Sequence, residues 1–229
     1  MEESFVIKPI AHIHTDFTSK FGIPRQSGLV EELVGRIVFE PEYRREEAFR
    51  ELDSFSHLWL IWQFSQSVSE QWHLTVRPPR LGGNRRVGVF ASRSPFRPNN
   101  LALSCVELRS IDYNAADGPA LVVAGVDMLD GTPVFDIKPY IPYADCRPEA
   151  SDGYTADTKS HRLEVDFPDE MLEMIPEQNR RGLIGALASD PRPGYSDAPD
   201  KEFGLAFAGY DVGFYVRGGT LHVSRVRRL

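Results

Sequence analysis

The sequence predicts a mainly β fold, a small β-barrel with a small α+β unit appended at its C-terminal end. Three observations carry that expectation. Short apolar segments follow one another through the first two-thirds of the chain, separated by Gly, Pro, Asn and Asp clusters, with little helical periodicity between them. No GxGxxG or Walker-type loop opens a βαβ unit, which argues against the commonest nucleotide-binding sheet. Beyond Pro168 the apolar period becomes helical before strand patterns return.

Taken in order, "SFVIKPIAHIH" and "GRIVF" alternate or run apolar over strand lengths. "REEAFRELDSF" places Ala48, Phe49 and Leu52 on one side and predicts a short helix. "HLWLIWQF", "RRVGVFA", "NLALSCVEL" and "PALVVAGVDML" read as four further strands. "PYADCRPEASDGYTADTKSH" is polar and punctuated by Pro and Gly, so it reads as a linker or surface excursion. "PDEMLEMI" and "PEQNRRGLIGALASD" read as helices opened by Pro168 and Pro176. "FGLAFAGYDVGFYVRGGTLHVSRV" then supplies two or three strands turning at Gly209 and at Gly218-Gly219. The expected units are residues 1–148, a barrel, and residues 149–229, a smaller α+β unit packed upon it.

The chain has 229 residues, 41% hydrophobic and 26% charged, which is enough for a true core. Two cysteines without CxxC spacing argue against a disulfide framework or structural zinc, and the expected compartment is a reducing cytoplasm. The net charge of -7 argues against a protein that coats nucleic acid indiscriminately. Its distribution is uneven. Gln71 to Val106 contains no Asp or Glu but holds Arg77, Arg80, Arg85, Arg86, Arg93 and Arg97, and "SRVRRL" ends the chain. A confined anionic partner and a set of salt-bridged arginines both fit that pattern.

Among nucleophiles and metal ligands little stands out. His12 and His14 share a strand face without an acid or thiol pattern to complete a site, so no metal is expected. Cys105 falls inside an apolar strand pattern, and there is no GxSxG elbow. Four segments instead join stiff prolines to planar donors or carboxylates: "GIPRQSG", "TVRPPRLGGN", "RRVGVFASRSPFRPNN" and "GVDMLDGTPVFDIKPYIPYAD". Any one of them reads as a tight turn whose side chains cap its own backbone. Four in one chain point to a polar site held in fixed directions.

These same segments, with the later "DPRPGY", resemble the signatures of the TsaA-like family and of its longer, two-domain TrmO-type members. The resemblance spans nearly the whole chain. It implies a small β-barrel that binds S-adenosylmethionine, works as a homodimer and methylates N6 of N6-threonylcarbamoyladenosine at position 37, beside the tRNA anticodon. By matching motifs it implies cofactor contacts from Pro24, Arg25, Gln26, Ser65, Gln66, Arg93 and Leu103, and from the run Asp127, Met128, Leu129 and Asp130. The chain departs from the family pattern with Ser65 for histidine, Ser92 for threonine, Asn100 for proline and Ala102 for glycine.

In-line methyl transfer needs positioning more than covalent help. Asp127 and Asp130 suit ribose hydroxyls or an amino group, because carboxylates accept paired hydrogen bonds. The attacked nitrogen is conjugated to a carbonyl and needs its proton drawn away. Asp136 is the expected acceptor and Tyr140 the second choice. Guanidinium groups bind carboxylate and phosphate in pairs, so Arg77, Arg80, Arg97 and Arg192 are expected on the tRNA or its threonyl carboxylate. A different methyl acceptor on the same scaffold, or a binding module without transfer, stay open on these residues alone.

Overall fold

A computed structural model describes residues 5–66, 71–78, 85–158, 161–193 and 201–229. Its first sheet is a closed barrel of six strands: β1 (Ala11–Thr15), β2 (Val34–Phe39), β3 (His57–Gln63), β6 (Leu101–Asp112), β7 (Ala120–Ala124) and β8 (Thr132–Pro139). Around the barrel the order is β1-β2-β7-β6-β3-β8, and every pairing is antiparallel. Period-2 burial fills its interior: Leu58, Leu60 and Trp62 of β3 face in, as do Ala11 and Ile13 of β1. Two very short strands, β4 (Thr75–Val76) and β5 (Val87–Gly88), form a separate ribbon beside it.

A second, four-stranded sheet, ordered β10-β11-β12-β9, is built from β9 (Glu164–Asp166), β10 (Phe203–Phe207), β11 (Tyr210–Arg217) and β12 (Thr220–Arg228). Among the described residues α1 (Pro142–Asp145) follows β8, and α2 (Asp169–Leu172) and α3 (Glu177–Ala188) lie between β9 and β10. Pro168 and Pro176 stand as the N-caps of α2 and α3, one position earlier than the first turn. The C-terminal unit seats on the loops at one end of the barrel. Phe17 meets Phe207 edge-on with centroids 5.1 Å apart, and Phe21 stacks on Phe203 and Phe214. A Cβ at Gly185 would lie 2.4 Å from Val30 Cγ1, so only glycine allows α3 to come this close to the loop before β2.

Three expectations change: of "RRVGVFA" only Val87–Gly88 is strand, and Val89–Ala91 is a 3₁₀ turn. "REEAFRELDSF" forms two 3₁₀ turns, Glu46–Phe49 and Leu52–Ser54, rather than a helix. Glu51 between them takes a left-handed φ of 64°, and of the apolar residues only Phe49 is buried. "DGTPVFDIKPY", read as a connection, is largely strand β8, and Pro133 and Pro139 sit near its two ends.

Candidate functional site

Antiparallel order sends three long connections to one end of the barrel: residues 16–33 between β1 and β2, 64–100 between β3 and β6, and 125–131 between β7 and β8. The C-terminal unit covers part of that end. Tight backbone bonds define the mouth: Gly28 N–H donates to Gly125 O at 2.9 Å, and Gly125 N–H donates to Leu33 O at 2.9 Å. Gly125 has φ +75°, and a Cβ there would lie 3.3 Å from the Gly28 backbone. Glycine at this point lets β7 stop and the chain turn across the opening.

Because β7 ends at Ala124, which pairs with Glu107, the first half of β6 has no β7 neighbour. Ser27 lies along that open edge, and Cys105 N–H donates to Ser27 Oγ at 3.1 Å. Since Cys105 turns its N–H away from β3, antiparallel alternation turns the N–H and C=O of Leu103 toward the same open edge. Leu103 therefore offers main-chain groups there, and its side chain is half-exposed on the barrel's outer face.

Asp127 crosses the same opening. Ser104 Oγ donates to its Oδ1 at 2.7 Å, and Trp62 Nε1–H donates to Ser104 Oγ at 2.9 Å, so a buried indole fixes the hydroxyl that holds the acid. Burial pushes the Asp127 carboxyl up to about 6, against the lowering effects of Ser104, backbone amides and the Arg93 charge. A carboxyl so placed gains from any cation brought to it. Ser104 and Ser27 were missed in the sequence. Ser104 had one usable signal, because alternation from exposed Leu103 turns it inward, where a hydroxyl requires a partner.

Arg25, Gln26 and Arg93 join in one chain of hydrogen bonds. Gln26 Nε2 donates to Arg25 O at 2.5 Å, and Arg93 donates to the Gln26 side-chain carbonyl. Pro24 is buried beside them. Ser65 and Gln66 are exposed just past β3, where Lys20 Nζ donates to Gln66 O at 3.0 Å. Met128 and Leu129 come to the mouth as buried side chains, their carbonyls taken by Thr15 and Thr132, so they shape the turn. Asp130 faces β1, accepting from Thr15 N–H at 3.2 Å and lying 3.1 Å from His14 Nδ1. His12 likewise lies 3.0 Å from Glu40, so each strand histidine has an acidic partner that its spacing did not reveal. Among the described residues no cluster suits a metal ion.

The connection that carries Arg93 is braced by its own polar groups. Ser92 Oγ donates to Val89 O and accepts from Ser94 N–H, and Arg97 donates to Ser92 O at 3.0 Å. Asn100, in the place of the family's proline, accepts from Gln63 Nε2 at 2.6 Å and donates to Phe64 O. It pins the exit of β3 with hydrogen bonds. Arg77 is exposed on the ribbon, and Arg80 lies outside the described residues. Arg192 grips Asp190 with two bonds, 2.8 and 2.9 Å, while Arg25 donates to its carbonyl at 3.1 Å. Asp190 also lies 2.9 Å from His161 Nε2. Burial works against the charge of Asp190, yet Arg192 and His161 outweigh it and hold the carboxyl at about 2.

The two proposed proton acceptors separate. Tyr140 N–H donates to His57 O at the start of β3, the end of the barrel opposite the mouth. Seven residues of β3 separate the two ends, roughly 20 Å of strand. Asp136 pairs with Ile61, which pairs with Leu103, so the three form one row on the outer face. Asp136 thus stands two strand spacings, about 10 Å, from Leu103. It follows a bulge in β8, accepts from Ile137 N–H and lies 2.9 Å from Lys138 Nζ.

Comparison with known proteins matches residues 12–146 to the tRNA-methyltransferase O N-terminal domain and residues 160–229 to the TrmO C-terminal domain. The chain is 39% identical over 220 residues to the tRNA (adenine(37)-N6)-methyltransferase of Escherichia coli K12, covering 93% of this chain and 92% of that one. It is 38% identical over 214 residues to a Pseudomonas aeruginosa protein named as an S-adenosylmethionine-dependent methyltransferase, covering 90% of each. A crystal structure of TrmO from Pseudomonas aeruginosa superposes with a TM-score of 0.79 at 31% identity, over 98% of this chain and 99% of that one.

Proposed function

The chain belongs to the TrmO family of tRNA methyltransferases, and from that premise we propose that it acts on N6-threonylcarbamoyladenosine at position 37 of tRNA, with each active unit built from two copies of the chain. The reaction is S-adenosylmethionine-dependent methylation of N6 of adenine 37. The observation that carries the site assignment is Asp127, a part-buried carboxyl held by Ser104 beside an open strand edge, which desolvation raises to about 6. Such a carboxyl fits a cationic ligand that also presents hydroxyls and an amino group.

In this reading the cofactor lies along the mouth, against Asp127, the main chain of Leu103 and the Arg25–Gln26–Arg93 chain. When bound, S-adenosylmethionine supplies a methyl group activated by its sulfonium. The residues of the chain orient and exclude water. Ser104 and Trp62 fix the direction of the Asp127 carboxylate, so no reorganisation is needed when a cation arrives. Asp136, exposed beside the bulge, takes the N6 proton as the attacking nitrogen loses it. Tyr140, at the far end of the barrel, takes no part in chemistry at its own chain's mouth.

A homodimer is supported by the outer face of β3 and β6, where Ile61 and Leu103 share one row, Trp59 stands in the next, and the Leu103 side chain is half-exposed. The barrel unit, residues 1–148, then holds cofactor and dimer contacts, and residues 149–229 brace the cofactor loop through Arg192. Mass spectrometry of tRNA nucleosides from a strain lacking the gene tests the substrate. Loss of the N6-methyl group from threonylcarbamoyladenosine supports the reading, and an unchanged nucleoside profile overturns it.

A further inference from the structure

The ribbon that projects beside the mouth bears aromatic side chains that no packing explains. Trp72 is 46% exposed and Phe90 73% exposed, yet their rings stack with centroids 6.3 Å apart at 29°. Phe96, 41% exposed, stands edge-on to His73 at 5.4 Å and lines a groove of about 550 Å³ with Arg97, Gln63, Asn100 and Phe135. The ribbon is only two residues deep on each strand and adds little burial of its own. Large exposed rings on such an element serve a partner better than a core.

Charge identifies the partner. The stretch from Gln71 to Val106 has six arginines and no carboxylate, on a chain whose net charge is -7. Arg85 and Arg86 are exposed, and Arg86 donates to Thr75 Oγ1 across the ribbon at 3.2 Å. Flat rings in a stretch that carries arginines and no carboxylate from Gln71 to Val106 suit single-stranded nucleic acid, whose bases stack and whose phosphates pair with arginine. A second copy of this chain fits poorly, because a two-fold contact would lay these arginines against themselves.

We propose that Trp72 and Phe90, with Phe96 at the groove wall, form a stacking platform for unpaired RNA bases beside the methylated adenosine. This rests on the tRNA reading above and assigns its RNA contacts to residues outside the cofactor mouth. The ribbon joins the mouth directly, since the connection that carries Phe96 also carries Arg93, bonded to Gln26. A base unstacked from its loop can therefore lie on the rings while its neighbour enters the site.

The test uses the whole 229-residue chain with S-adenosylmethionine and a synthetic anticodon stem-loop RNA carrying N6-threonylcarbamoyladenosine at position 37, compared with the same stem-loop whose other loop nucleotides are abasic. Trp72→Ala should weaken binding of the normal loop about tenfold and leave the abasic loop nearly unaffected, while Trp72→Phe keeps most of the affinity. The fluorescence difference between the chain and its Trp72→Phe variant should be quenched by the normal loop alone. Equal affinity of the chain and Trp72→Ala for the normal loop overturns the platform, with methylation by the unaltered chain showing that the tRNA reading survives. Failure of the unaltered chain to bind or methylate either RNA overturns both. A change of oligomeric state in Trp72→Ala at unchanged RNA affinity overturns the platform in favour of a second copy.

Discussion

At the barrel mouth one part-buried carboxyl is fixed by a serine and an indole, and burial outweighs the pull of the Arg93 charge on it; on the adjoining ribbon, arginines and aromatic rings stand in solvent. The two regions handle charge in opposite ways. Desolvation at Asp127 makes a single ionic contact there strong and local. The ribbon leaves its charges hydrated, so each is weak and open to screening by salt. A compact cation and an extended polyanion call for these two arrangements.

The sharpest way to break this contrast is at Asp127. Asp127→Asn should weaken cofactor binding roughly a hundredfold by calorimetry, the scale of losing a buried, charge-assisted hydrogen bond. If the affinity holds, the mouth is not a cation site. The same residue sets two opposing pH trends. Its folded pKa is raised from 3.8 to about 6, so the stability it favours in the ligand-free chain is fully present below 3.8 and is lost as pH rises through 6. That loss is of order 3 kcal/mol and should vanish in Asp127→Asn on denaturant titration at several pH values. Cofactor affinity should climb over the same window, because only the ionised carboxyl attracts the cation.

The ribbon should answer salt where the mouth does not. If about four phosphates are neutralised, RNA affinity should fall roughly fiftyfold between about 50 and 200 mM salt, with cofactor affinity almost flat. Parallel slopes for the two ligands would erase the distinction. The smallest effect concerns how the C-terminal unit holds the mouth. Gly185→Ala drives a methyl group against Val30, itself 2% exposed, and should cost about 1–3 kcal/mol, read as a fall of several degrees in Tm.

Much of the barrel was legible because its strands alternate. "HLWLIWQF" and "NLALSCVEL" carry period-2 burial that survives almost unchanged as β3 and β6. "REEAFRELDSF" misled because helical spacing of three apolar residues says nothing of what they pack on: Phe49 is buried in the core, Leu52 packs against it part-buried, and Ala48 is exposed. "DGTPVFDIKPY" concealed a strand because its prolines lie near the ends, where their missing N–H groups cost least. The segments singled out in the sequence meet at one end of the barrel, but the partners of their side chains could not be read there. Arg192, expected on the substrate, is engaged by Asp190, and Asp130, expected on the cofactor, faces β1. Side-chain partners come from distant segments, which local sequence does not name.

Strand β7 stops short of the length of β6, and that shortfall leaves Leu103 presenting only its peptide groups to the slot. Every amino acid except proline carries those same groups. Side chains at Leu101 or Leu103 can change over evolutionary time without erasing what the slot offers, because the peptide groups that face it stay the same.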